Sequence, residues 1–178
     1  MNRKVMVYIA VSADGFIAGP DGDMSFLDIQ TPEGEDFGYH AFIAEVDTVI
    51  LGRKTYDWVM TQVDTFPHAH LESYIITSAQ KEPEGNIRFY SGDPCALVRT
   101  LRSRSGKNIF VDGGAQLIQA LREEQLIDTY IITIIPVLLG SGTALFRSPG
   151  PAEELSLHYA RSWPNGMTQL RYERNRSV

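Results

Sequence analysis

Short apolar runs, each bounded by charged or turn-forming residues, recur along the chain and predict the strands of a buried sheet. Between many of these runs the apolar positions change to a spacing of three and four residues, which is typical of amphipathic helices. The predicted strands are residues 5–11, 47–51, 73–77, 87–90, 108–111, 127–135, 154–160 and 167–172. The predicted helices are residues 35–45, 55–60, 96–104 and 115–124, with loops at residues 24–35 and 61–72.

Strands alternate with helices through most of the chain, and the last two strands are joined at Pro164-Asn165-Gly166. Alternation favours parallel strands joined by helical crossovers, whereas the closing hairpin favours an antiparallel edge. We therefore predict an α/β fold with three layers, α/β/α, around a mixed and mostly parallel sheet. The sequence shows no linker, low-complexity segment or internal repeat, so residues 1–178 are predicted to form a single domain.

Composition narrows the possible classes of protein. Hydrophobic residues make up 43% of the chain, which argues against disorder, and the net charge of −6 disfavours a nucleic-acid binder because phosphate needs a basic face. No apolar run reaches the ~18 residues of a membrane span. The apolar start ends in Asp14-Gly15 rather than at a small-residue cleavage site, so we interpret it as a strand and not a signal peptide. The single cysteine, Cys95, cannot form an internal disulfide, and we expect a cytoplasmic protein.

Two predicted strand-to-helix junctions carry chemistry suited to binding anions. In the first, Gly52 ends a strand and Arg53, Lys54 and Thr55 begin a helix; in the second, Gly113-Gly114 separates strand from helix. A helix start offers free N–H groups, glycine allows close approach, and a guanidinium suits phosphate. Such turns could contact both ends of a dinucleotide. The alternative is a tight turn and a solvated helix start, since neither junction is a Walker A loop or a Gly-x-Gly-x-x-Gly fingerprint.

The order and spacing of these segments resemble the dihydrofolate reductase superfamily. Within it, the chain is similar to the C-terminal reductase domain of the riboflavin-biosynthesis deaminase–reductase, over nearly the whole chain. The segments that carry the resemblance are Ser12-Ala13-Asp14-Gly15-Phe16-Ile17-Ala18, Gly52-Arg53-Lys54-Thr55-Tyr56, Tyr74-Ile75-Ile76-Thr77-Ser78, Val111-Asp112-Gly113-Gly114-Ala115-Gln116-Leu117, and residues 136–146 for the riboflavin branch. The resemblance implies a dihydrofolate reductase-like fold.

The resemblance also implies NADPH as the hydride donor and a set of residues that would contact it. The first junction would hold the adenosine 2′-phosphate and the pyrophosphate, and the end of the strand after it would lie beside the adenosine. The second junction would hold the pyrophosphate and the nicotinamide ribose, and two residues near the N-terminus would border the nicotinamide. These residues are Gly52, Arg53, Lys54, Thr55, Thr77 and Ser78 for the first group, and Gly113, Gly114, Ala115, Gln116, Leu117, Ala10 and Ile17 for the second.

The implied reaction is hydride transfer to a small heteroaromatic substrate, of the kind reduced by 5-amino-6-(5-phosphoribosylamino)uracil reductase. The alternatives are a pterin reductase and a nucleotide-binding protein without turnover. Asp36 stands where folate reductases place a carboxylate that helps to protonate the substrate, so it is the candidate catalytic residue. Its other interpretation is a first-turn acid that favours the helix dipole, within an acidic surface formed with Glu33 and Glu35.

The substrate half departs from both relatives. The Pro-Trp pair of folate reductases is replaced by Met24-Ser25-Phe26-Leu27-Asp28, and the Trp-Ile-Ser/Thr segment of riboflavin reductases is missing. The cofactor half is therefore the better matched half.

We assign no catalytic or metal-binding role to the remaining histidine, cysteine and tryptophan candidates. His68-Ala69-His70 is interpreted as a surface pair rather than a zinc site, Cys95 as inert, and no metal is expected. Trp58 and Trp163 are interpreted as packing residues. Leu138-Leu139 and the run at residues 127–135 look too apolar for an exposed edge, so we expect a homodimer.

Overall fold

The computed structural model describes residues 3–28 and 34–175, so residues 29–33 of the predicted loop, Glu33 among them, lie outside the described residues. Fourteen strands and helices follow one another along the described chain. They are β1 Val5–Ser12, β2 Phe16–Ala18, α1 Tyr39–Ala44, β3 Val46–Gly52, α2 Arg53–Gln62, β4 Glu72–Ile76, β5 Ile87–Tyr90, α3 Pro94–Ser103, β6 Asn108–Gly113, α4 Ala115–Glu123, β7 Thr129–Ile135, β8 Thr143–Ala144, β9 Leu155–Ser162 and β10 Thr168–Arg174.

Eight strands form one sheet in the order β5-β4-β3-β6-β1-β7-β10-β9. The first six strands run parallel to one another, whereas β10 runs antiparallel to both β7 and β9. This confirms the predicted mixed, mostly parallel sheet with antiparallel C-terminal strands. Because parallel strands all point the same way, the carboxyl ends of β1, β3, β4 and β6 meet at one edge of the sheet, which we call the carboxyl edge.

Alternating side chains of the central strands bury into two separate cores, one on each face of the sheet. On β1, Val5 and Val7 pack with residues of α3 and α4, among them Leu101 and Ile118. Met6 points the other way and packs with Phe42 of α1 and the segments around α2. Helices therefore cover both faces, and the predicted three-layer α/β/α fold is confirmed.

Local chemistry explains where α3 begins. The Asp93 carboxylate accepts hydrogen bonds from the backbone N–H groups of Cys95 and Ala96, and Pro94 occupies the first turn. Both features favour a helix start. Burial raises the pKa of the Cys95 thiol, which agrees with the interpretation of this cysteine as unreactive.

Asp14 ties the turn after β1 to the glycine-rich loop before β8. Its carboxylate accepts the Ser12 hydroxyl at 2.6 Å and the backbone N–H groups of Leu139 and Gly140 at 3.1 and 2.7 Å. These hydrogen bonds, the one from Ser12 first, lower the pKa of Asp14 to about 2. The Ser-x-Asp-Gly motif thus has a structural role, because its aspartate joins two loops by hydrogen bonds.

Three predictions about elements were wrong. Helix α1 begins at Tyr39 rather than near residue 35, because Phe37 and Gly38 have left-handed backbones with φ of 55° and 84°. Strands β2 and β8, which pair as a small separate sheet, were missed because two or three residues show no periodicity. The apolar run at residues 127–135 was interpreted as a subunit contact at a sheet edge, yet β7 lies inside the sheet, between β1 and β10.

Helices long and apolar enough to cross a membrane are absent from residues 3–28 and 34–175.

Candidate functional site

The two predicted anion-binding turns lie against each other at the carboxyl edge. Leu51 and Gly113 are paired in register between β3 and β6. A Cβ atom added to Gly114 would lie 3.7 Å from the Cα and N of Gly52 and 3.6 Å from the Thr55 hydroxyl oxygen. The glycines of both turns and Thr55 therefore border one space, and a side chain at residue 114 would project into it in van der Waals contact with Gly52 and Thr55.

Both helices that follow these turns begin without a side-chain cap among the described residues. Gly52 precedes α2 and Gly114 precedes α4, and neither can offer a capping side chain. The first N–H groups of each helix consequently remain available to a ligand at the carboxyl edge. Two adjacent helix starts with glycine at each N-cap have the donor set that a pyrophosphate requires.

The predicted contacts on α4 divide by burial. Ala115 and Leu117 are buried in the α3–α4 core, so they would offer a ligand backbone atoms only. Gln116 is exposed and has a side chain free to reach outward. The structure thus places these three residues at the start of α4, where Ala115 and Leu117 are buried and Gln116 is exposed.

The cationic side of the site is built around Phe89. The Arg53 guanidinium carbon is 5.9 Å and the Lys81 ammonium nitrogen 4.5 Å from the centroid of the Phe89 ring. The Arg53 Nε also donates to Asp57 at 2.7 Å, one turn along α2. A depression of about 500 Å³ opens beside this ring, lined by Gln80, Lys81, Glu82, Phe89 and Ser91.

The other predicted residues of the adenosine end lie on the same edge. Thr77 follows β4 directly, its backbone N–H donates to Tyr90 at 2.9 Å, and its hydroxyl accepts from the Ala79 N–H. Ser78 and Lys54 are exposed. A ring of Phe89's size with two nearby cations is suited to a base or sugar that carries a phosphate.

The nicotinamide end is less uniform. Ala10 lies on β1 in the middle of the sheet and remains only half-buried, beside Thr133 of β7. By strand alternation it shares a face with Tyr8, which packs with the α1 side of the core. Ile17 packs instead against the α3–α4 core. The structure therefore places Ala10 on the α1 face of the sheet, which we call the open face because Tyr8 and Ala10 are only half-buried there. Ile17 lies on the opposite face.

Asp36 works as a cap for the turn before α1. Its carboxylate accepts hydrogen bonds from the N–H groups of Gly38 and His40, each at 2.9 Å, and contacts the His40 ring nitrogen at 2.6 Å. The two backbone bonds are the largest causes that lower the pKa of Asp36 to about 2. At neutral pH this carboxylate is ionised and accepts hydrogen bonds. A catalytic role for Asp36 stays a prediction.

A polar network connects the open face to the C-terminal strands. The buried Gln169 amide nitrogen lies 3.0 Å from both the Tyr8 and Thr133 hydroxyl oxygens, and its oxygen accepts from Tyr159 at 2.8 Å. Tyr8 donates to the Phe37 carbonyl at 2.9 Å. Burial raises the pKa of Tyr8 to about 12, so its hydroxyl keeps its proton. The network fixes the segment before α1 against the sheet.

Three polar side chains that sequence reasoning left without a role meet next to the glycine pair. His68 Nε2 lies 3.3 Å from the Asp112 carboxylate and 3.5 Å from the Tyr39 hydroxyl oxygen. His68 was interpreted as a surface residue, but it is 6% exposed. Asp112 stood inside the quoted Val-Asp-Gly-Gly motif, whereas nothing local in the sequence connects His68 to a residue 44 positions away.

Comparison with known proteins decides the family. The family model described as the RibD C-terminal domain matches residues 3–168. The chain belongs to the RibD C-terminal domain family. This is a riboflavin-biosynthesis reductase-like family within the dihydrofolate reductase-like superfamily, as the resemblance implied.

Individual relatives span the same length. This RibD C-terminal domain protein is 39% identical over 175 residues to YwjB, an uncharacterized protein of Bacillus subtilis (strain 168), covering 98% of this chain and 99% of the relative. A putative riboflavin biosynthesis protein from Shewanella sp. PV-4 superposes with a TM-score of 0.86 at 28% identity, covering 99% of this chain and 100% of that one.

A reductase of known name shares the fold at much lower sequence identity. A diaminohydroxyphosphoribosylaminopyrimidine deaminase/5-amino-6-(5-phosphoribosylamino)uracil reductase from Thermotoga maritima superposes with a TM-score of 0.72 at 12% identity. The alignment covers 98% of this RibD C-terminal domain chain and 57% of that chain. This likeness shows a shared fold.

Proposed function

We propose that the protein is an NADPH-dependent reductase that acts on a small heteroaromatic substrate of the 5-amino-6-(5-phosphoribosylamino)uracil class. The observation that carries the proposal is the contact between the turns at Gly52 and Gly114, which places two uncapped helix starts around one space. Membership of the RibD C-terminal domain family supports the reaction class.

The described residues fit the cofactor. The N–H groups that start α2 and α4 would bind the pyrophosphate, and the two glycines leave room for it. Arg53 and the depression beside Phe89 would receive the phosphorylated adenosine end, and Ala10 would border the nicotinamide. When bound, NADPH supplies a hydride for a polarised double bond of the substrate.

The substrate would lie on the α1 side of the sheet. Tyr8 and Ala10 are half-buried on this face of β1, and Asp112 is the polar group at its end. The Tyr8 hydroxyl keeps its proton near neutral pH and is hydrogen-bonded to the Phe37 carbonyl and the Gln169 amide, so Tyr8 would contact a substrate through its ring. The side chains on this face therefore have to polarise the substrate and provide its proton.

Titration with both nicotinamide cofactors, followed by a substrate panel, tests the proposal. NADPH binding is measured by quenching of tryptophan fluorescence, and its oxidation is followed at 340 nm with aminopyrimidine and pteridine compounds. Reduction of an aminopyrimidine is the expected result. Binding of NADPH without reduction of any compound would favour the nucleotide-binding alternative, and preferential reduction of a pteridine would favour a pterin reductase.

Arg53→Ala is expected to weaken NADPH binding about tenfold while changing NADH binding less than about twofold. The physical reason is that a guanidinium donates charge-assisted hydrogen bonds to the 2′-phosphate, which NADH lacks. Dissociation constants for both cofactors, measured by fluorescence titration at one ionic strength, check this result.

Arg88→Ala is the matched control, because Arg88 is also an exposed arginine that contacts a carboxylate, Glu72 at 3.5 Å. It should leave both constants unchanged. Equal weakening of NADPH and NADH by Arg53→Ala would remove the role assigned to this residue.

We also propose that the protein forms a homodimer, through a surface other than β7. Strand β9 is the outer strand of the sheet, and seven of its eight residues are exposed, including Leu155 at 37% and Leu157 at 56%. A long exposed edge strand can pair with its own copy across a two-fold axis. Sedimentation velocity should give twice the chain mass, and Leu157→Lys should return it to one.

A further inference from the structure

His68 is an ionisable ring in an unexpected place. It belongs to the irregular segment between α2 and β4, yet its side chain is 7% exposed. His70, two residues along the same segment, is exposed. Histidines that are buried without a role in packing are uncommon unless they are hydrogen-bonded, so the partners of the His68 ring decide what it can do.

A single nitrogen of His68 faces two groups from two other elements. Its Nε2 is 3.3 Å from the Asp112 carboxylate at the end of β6 and 3.5 Å from the Tyr39 hydroxyl oxygen at the start of α1. Burial, and then the negative charge of Asp112, raise the pKa of Tyr39, so this hydroxyl stays protonated. Three elements therefore bring a phenol, an imidazole and a carboxylate together.

The surroundings hold the His68 ring in one orientation. The rings of Phe66 and Phe110 meet it edge to face, with centroids 5.4 and 5.8 Å away. The His68 carbonyl accepts the Leu71 N–H at 2.8 Å and the buried Ser73 hydroxyl at 3.1 Å. A ring fixed both by packing and by its backbone loses little freedom when it orients a partner.

Asp112 connects this group to the candidate site. His68 lies against both the Phe110 ring and the Asp112 carboxylate, so Asp112 is on the α1 face of the sheet, and Gly113-Gly114 comes directly after it. Its carboxylate is 24% exposed although His68 beside it is buried. Asp112 is thus the side chain through which the buried histidine reaches the open face.

We propose that His68 is a positioning residue that orients Asp112 and supplies the proton that Asp112 gives to the substrate. This inference rests on the proposed function, because it assigns the source of the proton that accompanies hydride transfer. Asp112 would contact the substrate, and His68 would act only through Asp112.

The proposed step balances in protons and electrons. Reduction of a C=N bond adds a hydride to carbon and a proton to nitrogen, while NADPH becomes NADP⁺. The π pair of the substrate moves to its nitrogen, which takes the proton from Asp112. The extra proton of the His68 ring passes to Asp112, which leaves a neutral imidazole, and solvent restores that proton before the next turnover.

His68→Gln tests the proposal in turnover, with His70→Gln as the matched control. Glutamine keeps an N–H donor near Asp112 but cannot pass on a proton. We expect kcat to fall at least about tenfold, with KM and the NADP⁺ dissociation constant within about twofold, and a larger solvent deuterium isotope effect on kcat. His70→Gln should match the parent protein. A His68→Gln enzyme with unchanged kcat and isotope effect would overturn the proposal.

A second arm needs neither turnover nor a variant that might fold poorly. Ring ¹⁵N signals of the parent protein are recorded by NMR while NADP⁺ is added to saturation, which fluorescence quenching checks separately. The His68 signal should shift and the His70 signal should not. Absence of NADP⁺ binding would refute the proposed function itself. Binding that leaves the His68 signal unchanged would overturn the His68 inference and leave the proposed function standing.

Discussion

Gly114→Ala is expected to lower the affinity for NADPH roughly a hundredfold, the largest effect on binding that the structure predicts. The new Cβ would occupy the space between Gly52 and Thr55, at 3.6–3.7 Å from their atoms, where the two helix starts face each other. It would displace the pyrophosphate of the proposed cofactor from the N–H groups that we propose bind it. A second cost arises because Gly114 has a φ of 90°, which alanine adopts only with strain of ~1–3 kcal/mol.

Gly166→Ala separates these two effects. Gly166 lies in the hairpin between β9 and β10 and has a similar φ of 86°, and a Cβ there would lie 3.3 Å from Pro136, so the variant carries at least as much strain away from the two turns. Gly166→Ala should lose at least as much thermal stability as Gly114→Ala, measured by circular dichroism, but only Gly114→Ala should lose NADPH binding by fluorescence titration. Equal binding by the two variants would mean that the space at Gly114 is not where the cofactor lies.

Gly142→Ala is expected to destabilise the fold by ~3 kcal/mol or more, which corresponds to a melting temperature lower by roughly 10 °C. A Cβ at this position would collide with the Ala18 carbonyl oxygen and lie 2.9 Å from the Cα and carbonyl carbon of Gly19. These are backbone atoms, so they cannot rotate away as a side chain could. The φ of 138° at Gly142 adds strain.

Gly140→Ala is the control within the same loop. Gly140 also has a positive φ, 73°, but a Cβ there would meet no atom of the described chain within 4 Å. It should cost ~1 kcal/mol, or about 3 °C. Thermal unfolding followed by circular dichroism compares the two. Similar losses would show that the close approach of residue 142 to β2 is not needed for stability.

The sequence predicted the large elements because they repeat a pattern over many residues. Strand β5 was predicted at its observed bounds and α3 within two residues of its observed ends, since apolar runs and helical spacing are local signals. The start of α1 was misplaced because its apolar spacing continues upstream, where Phe37 and Gly38 turn left-handed. The turn is stabilised by the positive φ of Gly38 and by the hydrogen bonds of the Asp36 carboxylate, and the hydrophobic pattern gives no sign of either.

The candidate site also has one part that local sequence signals predict and one part that they do not. The turns at Gly52 and Gly114 were predicted from glycine, cations and their order in the chain, and their contact follows from neighbouring parallel strands. The association of His68 with Asp112 and Tyr39 could not be predicted, because it depends on how an irregular segment folds across the sheet. Tertiary hydrogen bonds between distant polar residues have no periodicity.

One half of the candidate site presents main-chain groups and the other half presents side chains, and the two halves therefore respond differently to mutation. The carboxyl edge would bind the proposed cofactor mainly with main-chain N–H groups after Gly52 and Gly114, which are kept in almost any substitution outside the glycines. The α1 face presents side chains, Tyr8, Tyr39 and Asp112 among them. Under the proposed function, mutations on the α1 face could therefore change the substrate without changing how the cofactor is bound, so substrate choice is the property most free to diverge.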